Sequence, residues 1–447
     1  MITTYQQAQT YLHNKIPTGQ TEKFPGHLGL ERMREFLRRL GNPQLKYETI
    51  HVVGTAGKGS TSYLTAKILQ QAGLSAGLHT SPHLTTLRER FVINGEMISE
   101  AAFVEVISEL EPVIEGMDSY QYGKPSYFEV LVAACFVWFA KSGIDVAVIE
   151  AGLGGKFDGT NVLEATVCIV TNVGLDHTHI LGNTKTKILQ DKMQVIKQGN
   201  AVAVTGVSQP KLLQVLREHC ASQQVPLLVA GQDFKAESIQ AAATHSRFSY
   251  HNAETLLENV IIKTPGLYQV TNASLAITAC LEYAKVHGVA VTGEVIKTAL
   301  SHTAFAGRFE VVRENPLLVL DGAHNPDKIK ALVAAWQAAY PEQQAVVLFG
   351  LKKNKNAGEM LKLLKPIVAA MVVTQFSQAT DMGLHLHYPA EELVQVAEKV
   401  LDVPVEVEVD SVVALQRAEE LGDEMGVGVL VTGSLYLVGE VNNLFNK

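Results

Sequence analysis

The sequence predicts an α/β protein with a P-loop-type parallel sheet in its N-terminal domain and a smaller Rossmann-like α/β domain after it. Short apolar runs rich in β-branched residues alternate with longer helical patterns, which is typical of a parallel sheet covered on both faces. The alternation begins again after residue 310. A chain of 447 residues also exceeds the usual size of one domain. We expect domains at residues 1–300 and 307–447, with the boundary near Leu300–Gly307.

The individual elements follow from this alternation. In the N-terminal half it predicts strands at Thr49–Val53, Ala76–His79, Asp145–Ile149, Thr166–Thr171 and Ala201–Val204, and helices at Ser60–Ala72, Ser99–Glu115 and Tyr127–Ser142. In the C-terminal half it predicts strands at Leu317–Leu320, Ala345–Phe349, Ala369–Thr374, Val405–Val409 and Val427–Thr432, with helices at Pro326–Ala339 and Ala390–Leu401. Ligands collect at the carboxyl ends of such strands, and several polar clusters follow the apolar runs there.

The first of these clusters is a glycine-rich turn between a strand and a helix. Its backbone N–H groups and the helix dipole would attract an anion. Lys58 can reach terminal phosphates, and Ser60 or Thr61 can hold Mg²⁺. The alternative is an ordinary glycine-rich turn of an α/β protein. The residues of the loop are Gly54, Thr55, Ala56, Gly57, Lys58, Gly59, Ser60 and Thr61.

Two further strand ends carry candidate metal ligands. Glu150 ends an apolar run, and a carboxylate beside a phosphate loop suits Mg²⁺, which prefers oxygen ligands. A capping or solvated glutamate is the alternative. His177 follows another run and has Asp176 beside it, so it could bind or orient a metal, although a structural histidine remains the alternative. Lys185, Lys187 and Lys197 are expected on a solvated basic face.

In the C-terminal half, a polar segment separates a predicted strand from a predicted helix. Asn325 can cap the helix and Pro326 fits its first turn. Capping leaves Asp321 and His324 unexplained, and these side chains could hold a nucleotide or a reacting group. Arg308 offers bidentate contacts to a phosphate.

Composition excludes several classes of protein. A net charge of −8 argues against a general nucleic-acid binder. The four cysteines lack metal-ligand or redox spacing, so we expect reduced packing residues. The N-terminus lacks a signal-peptide pattern, and the most apolar helical run, Leu131–Ala140, is shorter than the roughly 20 residues that span a bilayer. We expect a soluble cytoplasmic protein without membrane contact.

Taken together, the motifs closely resemble folylpolyglutamate synthase and dihydrofolate synthase, the folate branch of the Mur ligase superfamily. The matching segments run in order along nearly the whole chain. They include Gly29–Met33, Leu40–Gln44, Gly54–Ser60, Thr80–Leu84, Glu89–Gly95, Tyr127–Glu129, Glu150–Gly155, Thr160–Val162, Leu175–His177, Leu181–Thr184, Asn272–Ala273, Gly307–Glu310, Asp321–Pro326 and Gly433–Tyr436.

The resemblance implies an ATP-dependent ligase, usually monomeric, that joins L-glutamate to a reduced folate through an acyl phosphate. Residues 1–300 would be the ATP-binding domain and 307–447 the glutamate ligase domain. The implied catalytic residues are Lys58, Lys192, Asp321 and His324, with Lys192 carbamylated. The implied nucleotide contacts are Gly54, Thr55, Gly57, Lys58, Gly59, Ser60, Thr61, Asn272, Arg308 and Asp321. Ser60, Ser81, Glu150 and His177 would surround Mg²⁺, and His324 and Ser434 would lie on the glutamate side.

Some positions depart from the family pattern. The family usually has Asn at Ala56, Arg at Lys156 and Glu at Asp191, and it has Asp at Asn354. The arginine that the family usually places between residues 375 and 391 is missing. These departures leave two alternatives open: dihydrofolate synthase or a related ligase acting on another carboxylate, and a non-catalytic paralogue that binds nucleotide or folate.

Overall fold

The computed structural model describes residues 2–16, 27–303, 305–353, 355–376 and 387–445. Asn354 and most of the stretch that lacks the expected arginine lie outside the described residues. The chain divides into two compact units. The first comprises Met1–Glu237, Ser249–Val260 and Thr271–Ser301, and the second comprises Ser238–Phe248, Ile261–Val270 and His302–Lys447.

The first unit contains an eight-stranded sheet with the order β4-β3-β2-β5-β1-β6-β7-β8. Neighbouring strands pair in parallel from β2 through β8, and β3 and β4 add an antiparallel edge. The strands are β1 Glu48–Val53, β2 Ala76–His79, β3 Val92–Ile93, β4 Glu96–Met97, β5 Val146–Glu150, β6 Val167–Val170, β7 Val202–Thr205 and β8 Leu227–Val229.

Helices cover both faces of this sheet. Helix α3 contacts β1, β2 and β5 on one face, and α10 packs on α3. Apolar side chains of α5, α7 and α8 pack against Ile149, Cys168 and Ala203 on the other face. The helices are α1 Tyr5–His13, α2 His27–Arg39, α3 Lys58–Gln71, α4 Glu100–Glu115, α5 Tyr127–Ser142, α6 Thr178–Leu181, α7 Lys185–Lys192, α8 Pro210–Ser222, α9 Leu267–His287 and α10 Gly293–Ser301.

A three-stranded sheet with the order β11-β10-β9 lies between α8 and α9 in the sequence. Its strands are β9 Phe234–Ala241, β10 Ser246–Asn252 and β11 Leu256–Ile262. The alternation of apolar runs in the sequence does not predict this sheet.

The second unit contains a six-stranded sheet with the order β12-β13-β17-β14-β15-β16. In this sheet β12 pairs with β13 in antiparallel orientation, and the other described strand pairs are parallel. The strands are β12 Glu310–Glu314, β13 Leu317–Leu320, β14 Ala345–Phe349, β15 Val368–Val373, β16 Val405–Val407 and β17 Gly428–Thr432. The helices are α11 Pro326–Ala339, α12 Ala357–Leu364, α13 Ala390–Val400, α14 Ser411–Met425 and α15 Leu435–Asn442.

These two sheets confirm the predicted α/β fold class. All four cysteines are buried and none forms a disulfide bond, as expected of packing residues. Across the described ranges, each helix is too short or too polar to cross a membrane.

Candidate active site

The glycine-rich loop after β1 is held in place by residues that follow β6. The side-chain oxygen of Asn172 accepts the backbone N–H of Ala56 at 2.8 Å. The hydroxyl of Thr171 donates to the carbonyl of Ala56 at 2.6 Å. Thr55 donates its hydroxyl to the carbonyl of Gly174 and accepts the N–H of that residue. Four hydrogen bonds thus fix Thr55 and Ala56 and orient the loop that leads into α3.

Helix α3 begins at this loop without a side-chain cap. Gly57 stands at the N-cap position with φ +81°, and it makes no side-chain capping hydrogen bond. The first backbone N–H groups of a helix have no partner inside the helix, so this end can receive an anion. Asn272 of α9 packs against Gly57 so closely that a β-carbon at Gly57 would overlap the Oδ1 of Asn272. The predicted nucleotide contact Asn272 therefore lies at the loop.

Three predicted site residues meet at the ends of β1, β2 and β5. Glu150, 3% exposed, is the last residue of β5. Its Oε2 accepts the backbone N–H of Ser81 at 3.1 Å. Its Oε1 lies 3.9 Å from the Nζ of Lys58. The structure thus pairs a lysine with a nearly buried carboxylate at the mouth of the loop.

Lys192 is buried at the end of α7, where its side chain is 4% exposed. Burial and the positive charge of Lys58 lower the pKa of Lys192 to about 7, against the opposing effects of Asp191, Asp176 and Asp158. An amine with such a pKa is about half neutral at pH 7. Lys192 is therefore a buried amine whose protonation is disfavoured by burial and by the lysine of the phosphate loop.

The glycine turn after β5 packs directly on α7. The Oδ1 of Asp191 accepts the N–H of Gly155 at 2.8 Å. A β-carbon at Gly155 would lie 2.7 Å from the carbonyl oxygen of Lys192 and 2.8 Å from its Cα. Only glycine allows this backbone contact, which fixes Lys192 relative to the strand that carries Glu150.

Asp158 is a site residue that the sequence analysis did not single out. It is buried, and its Oδ2 accepts the N–H of Leu153 at 2.7 Å while its Oδ1 accepts the N–H of Thr160 at 2.9 Å. Burial raises the pKa of Asp158, and the charge of Lys58 opposes that shift. A buried acid that orders its own loop gives little signal in a sequence, because Asp in a Gly-rich turn has an ordinary turn explanation.

His177 lies at the start of the short helix α6 with φ +48°. Its backbone N–H donates to the Oδ1 of Asp176 at 3.0 Å, and its Nε2 lies 3.9 Å from the same atom. Asp176 also acts on Lys192 electrostatically. The structure thus places His177 and Asp176 in the same part of the unit as Lys192.

The residues present fit a magnesium ion that arrives with a nucleotide. The described parts of the chain contain no group of three or more His, Cys, Asp and Glu residues that could hold a metal alone. Mg²⁺ usually keeps several waters and takes one or two protein oxygens together with phosphate oxygens. Ser60 in the first turn of α3 and Glu150 supply a hydroxyl and a carboxylate of that kind. The hydroxyl of Thr61 is buried, and no described group hydrogen-bonds to it.

In the second unit, Asp321 organises the loop after β13. Its Oδ2 accepts the N–H of Phe309 and its Oδ1 accepts the N–H of Ala323, both at 2.8 Å. Burial raises the pKa of Asp321 to about 6, against the opposing effects of these backbone donors, Arg308 and Lys328. Since both carboxylate oxygens already accept from the backbone, Asp321 shapes the segment that carries Arg308.

Two of the polar residues in this unit, Asn325 and Ser434, cap helices, and His324 contacts the backbone. Asn325 caps α11 as predicted, accepting the N–H of Lys328 at 2.9 Å. Ser434 is buried and caps α15, accepting the N–H of Tyr436 at 3.2 Å. The Nδ1 of His324 lies 2.7 Å from the carbonyl oxygen of Gly322. The cap explains the residue type at Ser434 without a ligand.

Tyr268, near the start of α9, is a second residue that the sequence did not reveal. Its hydroxyl is buried, and no described group hydrogen-bonds to it. Burial raises the pKa of Tyr268 well above its usual value, Asp321 raises it further, and Arg308 opposes the shift. A buried polar atom without a partner is rare in proteins and often marks the place of a ligand or water.

One expectation for the basic segment was wrong. Lys197 does not lie on a solvated face, because its Nζ donates to the carbonyl oxygens of Asn161 and Leu163 at 2.7 and 3.0 Å. Burial lowers its pKa. Helix α7 ends at Lys192 and a short 3₁₀ helix, Met193–Val195, follows it, so Lys197 lies beyond the helix.

Comparisons with known proteins agree with this architecture. The Mur ligase middle domain matches residues 52–280, and the C-terminal domain of dihydrofolate synthetase matches residues 308–444. The dihydrofolate synthase/folylpolyglutamate synthase of Bacillus subtilis is 32% identical over 447 residues, which is 99% of each chain.

Solved structures show the same likeness. The folylpolyglutamate synthase of Mycobacterium tuberculosis complexed with ADP has a TM-score of 0.91 at 26% identity, covering 99% of this chain and 98% of that one. A complex of FPGS with AMPPCP and folate has a TM-score of 0.81 at 28% identity, covering 100% of both chains.

The fold and the phosphate loop define an ATP-dependent amide ligase of the Mur ligase type. Within that class, the chain belongs to the folylpolyglutamate synthase/dihydrofolate synthase family.

Proposed function

We propose that this protein ligates L-glutamate to a reduced folate, using ATP to form an acyl phosphate. The arrangement of Lys58, Glu150 and the uncapped start of α3 at one edge of the sheet carries this proposal. It provides a cation, a carboxylate and bare N–H groups where a polyphosphate and its metal would bind. Relatives named for folate glutamylation supply the substrate class.

The chemistry explains why ATP is needed. A carboxylate is a poor electrophile, so the γ-phosphoryl group first passes to the folate-linked carboxylate and ADP leaves. The amine of glutamate then attacks the acyl carbon, and inorganic phosphate leaves from the tetrahedral intermediate. Phosphoryl transfer depends mainly on positioning and charge neutralisation, which we assign to Lys58 and the backbone of Gly54–Thr61.

In this proposal the residues that would hold Mg²⁺ when Mg-ATP binds are Ser60, Ser81, Glu150 and His177. The ion would neutralise phosphate charge and polarise the phosphoryl oxygens. Lys192 is carbamylated: its neutral amine attacks CO₂ and one proton leaves. A side chain that is otherwise a cation when protonated thereby becomes a carbamate anion. Burial of Lys192 beside the charge of Lys58 supports this step, because the carbamate replaces a repulsive pair with an attractive one.

The remaining assignments concern nucleotide and amino acid. We assign Asn272 and Arg308 to the nucleotide, Asp321 to the nucleotide and the reacting centre, and His324 and Ser434 to the glutamate side. Residues 1–300 would then bind ATP and residues 307–447 would serve ligation of glutamate. The hydrogen bonds of Asp321 favour a positioning role for this residue in both functions.

Dihydrofolate synthesis is the second candidate function. The match of residues 308–444 to the C-terminal domain of dihydrofolate synthetase favours it, since that half would receive glutamate. Both reactions use the same activation chemistry and differ in the pteridine substrate.

Mass spectrometry of the products distinguishes the two functions. Purified enzyme is given Mg-ATP, L-glutamate and either tetrahydrofolate or dihydropteroate. A product one glutamyl residue heavier than tetrahydrofolate supports the proposal. Formation of dihydrofolate from dihydropteroate, with no extension of tetrahydrofolate, supports the second candidate. Failure to extend either compound would contradict both.

A further inference from the structure

Both ring nitrogens of His324 have polar partners within the second unit. The Nδ1 lies 2.7 Å from the carbonyl oxygen of Gly322. The Nε2 lies 2.9 Å from the Nζ of Lys328, four residues later in the chain. Lys328 is in the first turn of α11, so its position is fixed by the cap that Asn325 provides.

These two contacts determine the protonation state of the imidazole. A carbonyl oxygen only accepts, so the Nδ1 of His324 must carry the proton and donate. A lysine ammonium only donates, so the Nε2 of His324 must accept. His324 is therefore neutral and held as the Nδ1–H tautomer.

The position of Lys328 is unfavourable for the helix itself. A cation in the first turn of a helix is repelled by the helix dipole. Arg308 adds positive charge to the same loop cluster, since Arg308 and Lys328 both act on Asp321. Helix stability therefore does not explain a lysine here, whereas a hydrogen bond to His324 does.

We propose that Lys328 is a positioning residue that holds His324 in its neutral Nδ1–H tautomer during the ligase reaction. His324 then takes part as a neutral group of fixed orientation, and it does not act as a general acid. This inference rests on the proposed function only where activity is measured. The tautomer can be measured without substrates.

Nitrogen-15 NMR of histidine-labelled protein at pH 7.5 tests the tautomer, with His324→Gln identifying the signals of His324. The intact protein should show a protonated Nδ1 and an unprotonated Nε2. Lys328→Met removes the ammonium and keeps the length of the side chain. The carbonyl of Gly322 still holds the proton on Nδ1, so Nε2 can bind a proton as well and the doubly protonated form should appear. Lys330→Met, an exposed neighbour on the same helix, is the matched control and should change nothing.

The kinetic test separates positioning from stability. Lys328→Met should lower kcat/KM for glutamate about tenfold, the effect of losing one charged hydrogen bond. Lys328→Arg, which keeps a donor, should recover part of the loss. If Lys328→Met does not fold, Lys328→Leu, which also removes the donor, replaces it in both tests.

Two results would overturn the inference. One is a His324 that carries a proton on Nε2 in the intact protein. The other is a changed protonation of His324 in Lys328→Met with unchanged kinetics. If the intact enzyme fails to ligate glutamate, the proposed function fails, and the NMR result still decides the tautomer.

Discussion

Lys192 shows how the fold sets the reactivity of one side chain. Lysine ordinarily has a pKa near 10.4 and is protonated in the cell. Burial at the end of α7 and the charge of Lys58 lower its pKa to about 7. The neutral amine is the form that reacts with CO₂, so this pKa supports the carbamylation that we propose for Lys192.

Replacement of Lys192 tests its role directly. We expect Lys192→Ala to lose at least 100-fold in kcat, because one preorganised charge typically contributes about 10²–10³ in rate. A short carboxylic acid such as propionate should restore part of the activity by filling the place of the carbamate. Lys187→Ala, on the exposed side of the same helix, is the control. A fully active Lys192→Ala enzyme would remove Lys192 from the mechanism.

The pKa also predicts a pH dependence of carbamylation. Below pH 7 Lys192 is mainly protonated and unreactive, and above pH 7 it is mainly neutral. Activation of CO₂-depleted enzyme by added bicarbonate should therefore increase as the pH rises from 6 to 8. Carbon-13 NMR with labelled bicarbonate measures the carbamate, and its signal should be missing in Lys192→Ala. A carbamate signal that falls over this pH range would contradict the account.

Tyr268 offers a test of a residue that the sequence did not reveal. Its buried hydroxyl lacks a described partner. Tyr268→Phe should therefore keep or increase the free energy of unfolding, by about 1 kcal/mol, because an unsatisfied polar group is removed. If the hydroxyl serves bound nucleotide, the variant should also show a higher KM for ATP. Thermal unfolding and steady-state kinetics measure the two effects, and a destabilised variant with normal KM would contradict them.

At the scale of elements, the loop between β1 and α3 depends on a glycine for two separate reasons. Gly57 has φ +81°, which other residues adopt at a cost of about 1–2 kcal/mol. A β-carbon at Gly57 would also overlap the side chain of Asn272. Gly73, at the other end of α3, has φ +91° and no atom within 4 Å of such a β-carbon.

The pair Gly57→Ala and Gly73→Ala separates strain from overlap. Both variants should lose about 1–2 kcal/mol of stability from the backbone conformation. Only Gly57→Ala should weaken ATP binding, since it displaces Asn272 and the loop. Calorimetric titration with ADP and urea unfolding measure the two quantities. Equal ADP affinities in the two variants would show that the overlap has no effect on the loop.

Most of the strands that the sequence predicted are buried along their length, although the predicted strand β16 is partly exposed. Helix α5 was predicted as Tyr127–Ser142 and has those bounds, because it is apolar throughout and has a serine cap and a glycine end. Among the strands that were missed are β9 to β12. They are antiparallel or exposed on one side, and charged or polar residues interrupt them, so their hydrophobic signal is weak.

The residues of the candidate site likewise include some that the sequence predicted and some that it did not. The strand-end positions of the phosphate loop and Glu150 followed from the rule that ligands collect at the carboxyl ends of parallel strands. Lys328 and Tyr268 could not be predicted from the sequence, because the role of each depends on neighbours that the fold supplies. Lys328 contacts His324, and Tyr268 is influenced by Asp321 and Arg308. Lys197 was misjudged because its partners are backbone carbonyls, which a sequence pattern does not show.

For the molecule as a whole, we predict a ligase that needs three substrates at once. The most direct test is ADP formation from Mg-ATP, tetrahydrofolate and L-glutamate, with each substrate omitted in turn. We predict ADP release that requires both tetrahydrofolate and glutamate and disappears in Lys58→Ala. ADP release that is unchanged when tetrahydrofolate is omitted, or when glutamate is omitted, would contradict the proposed ligation.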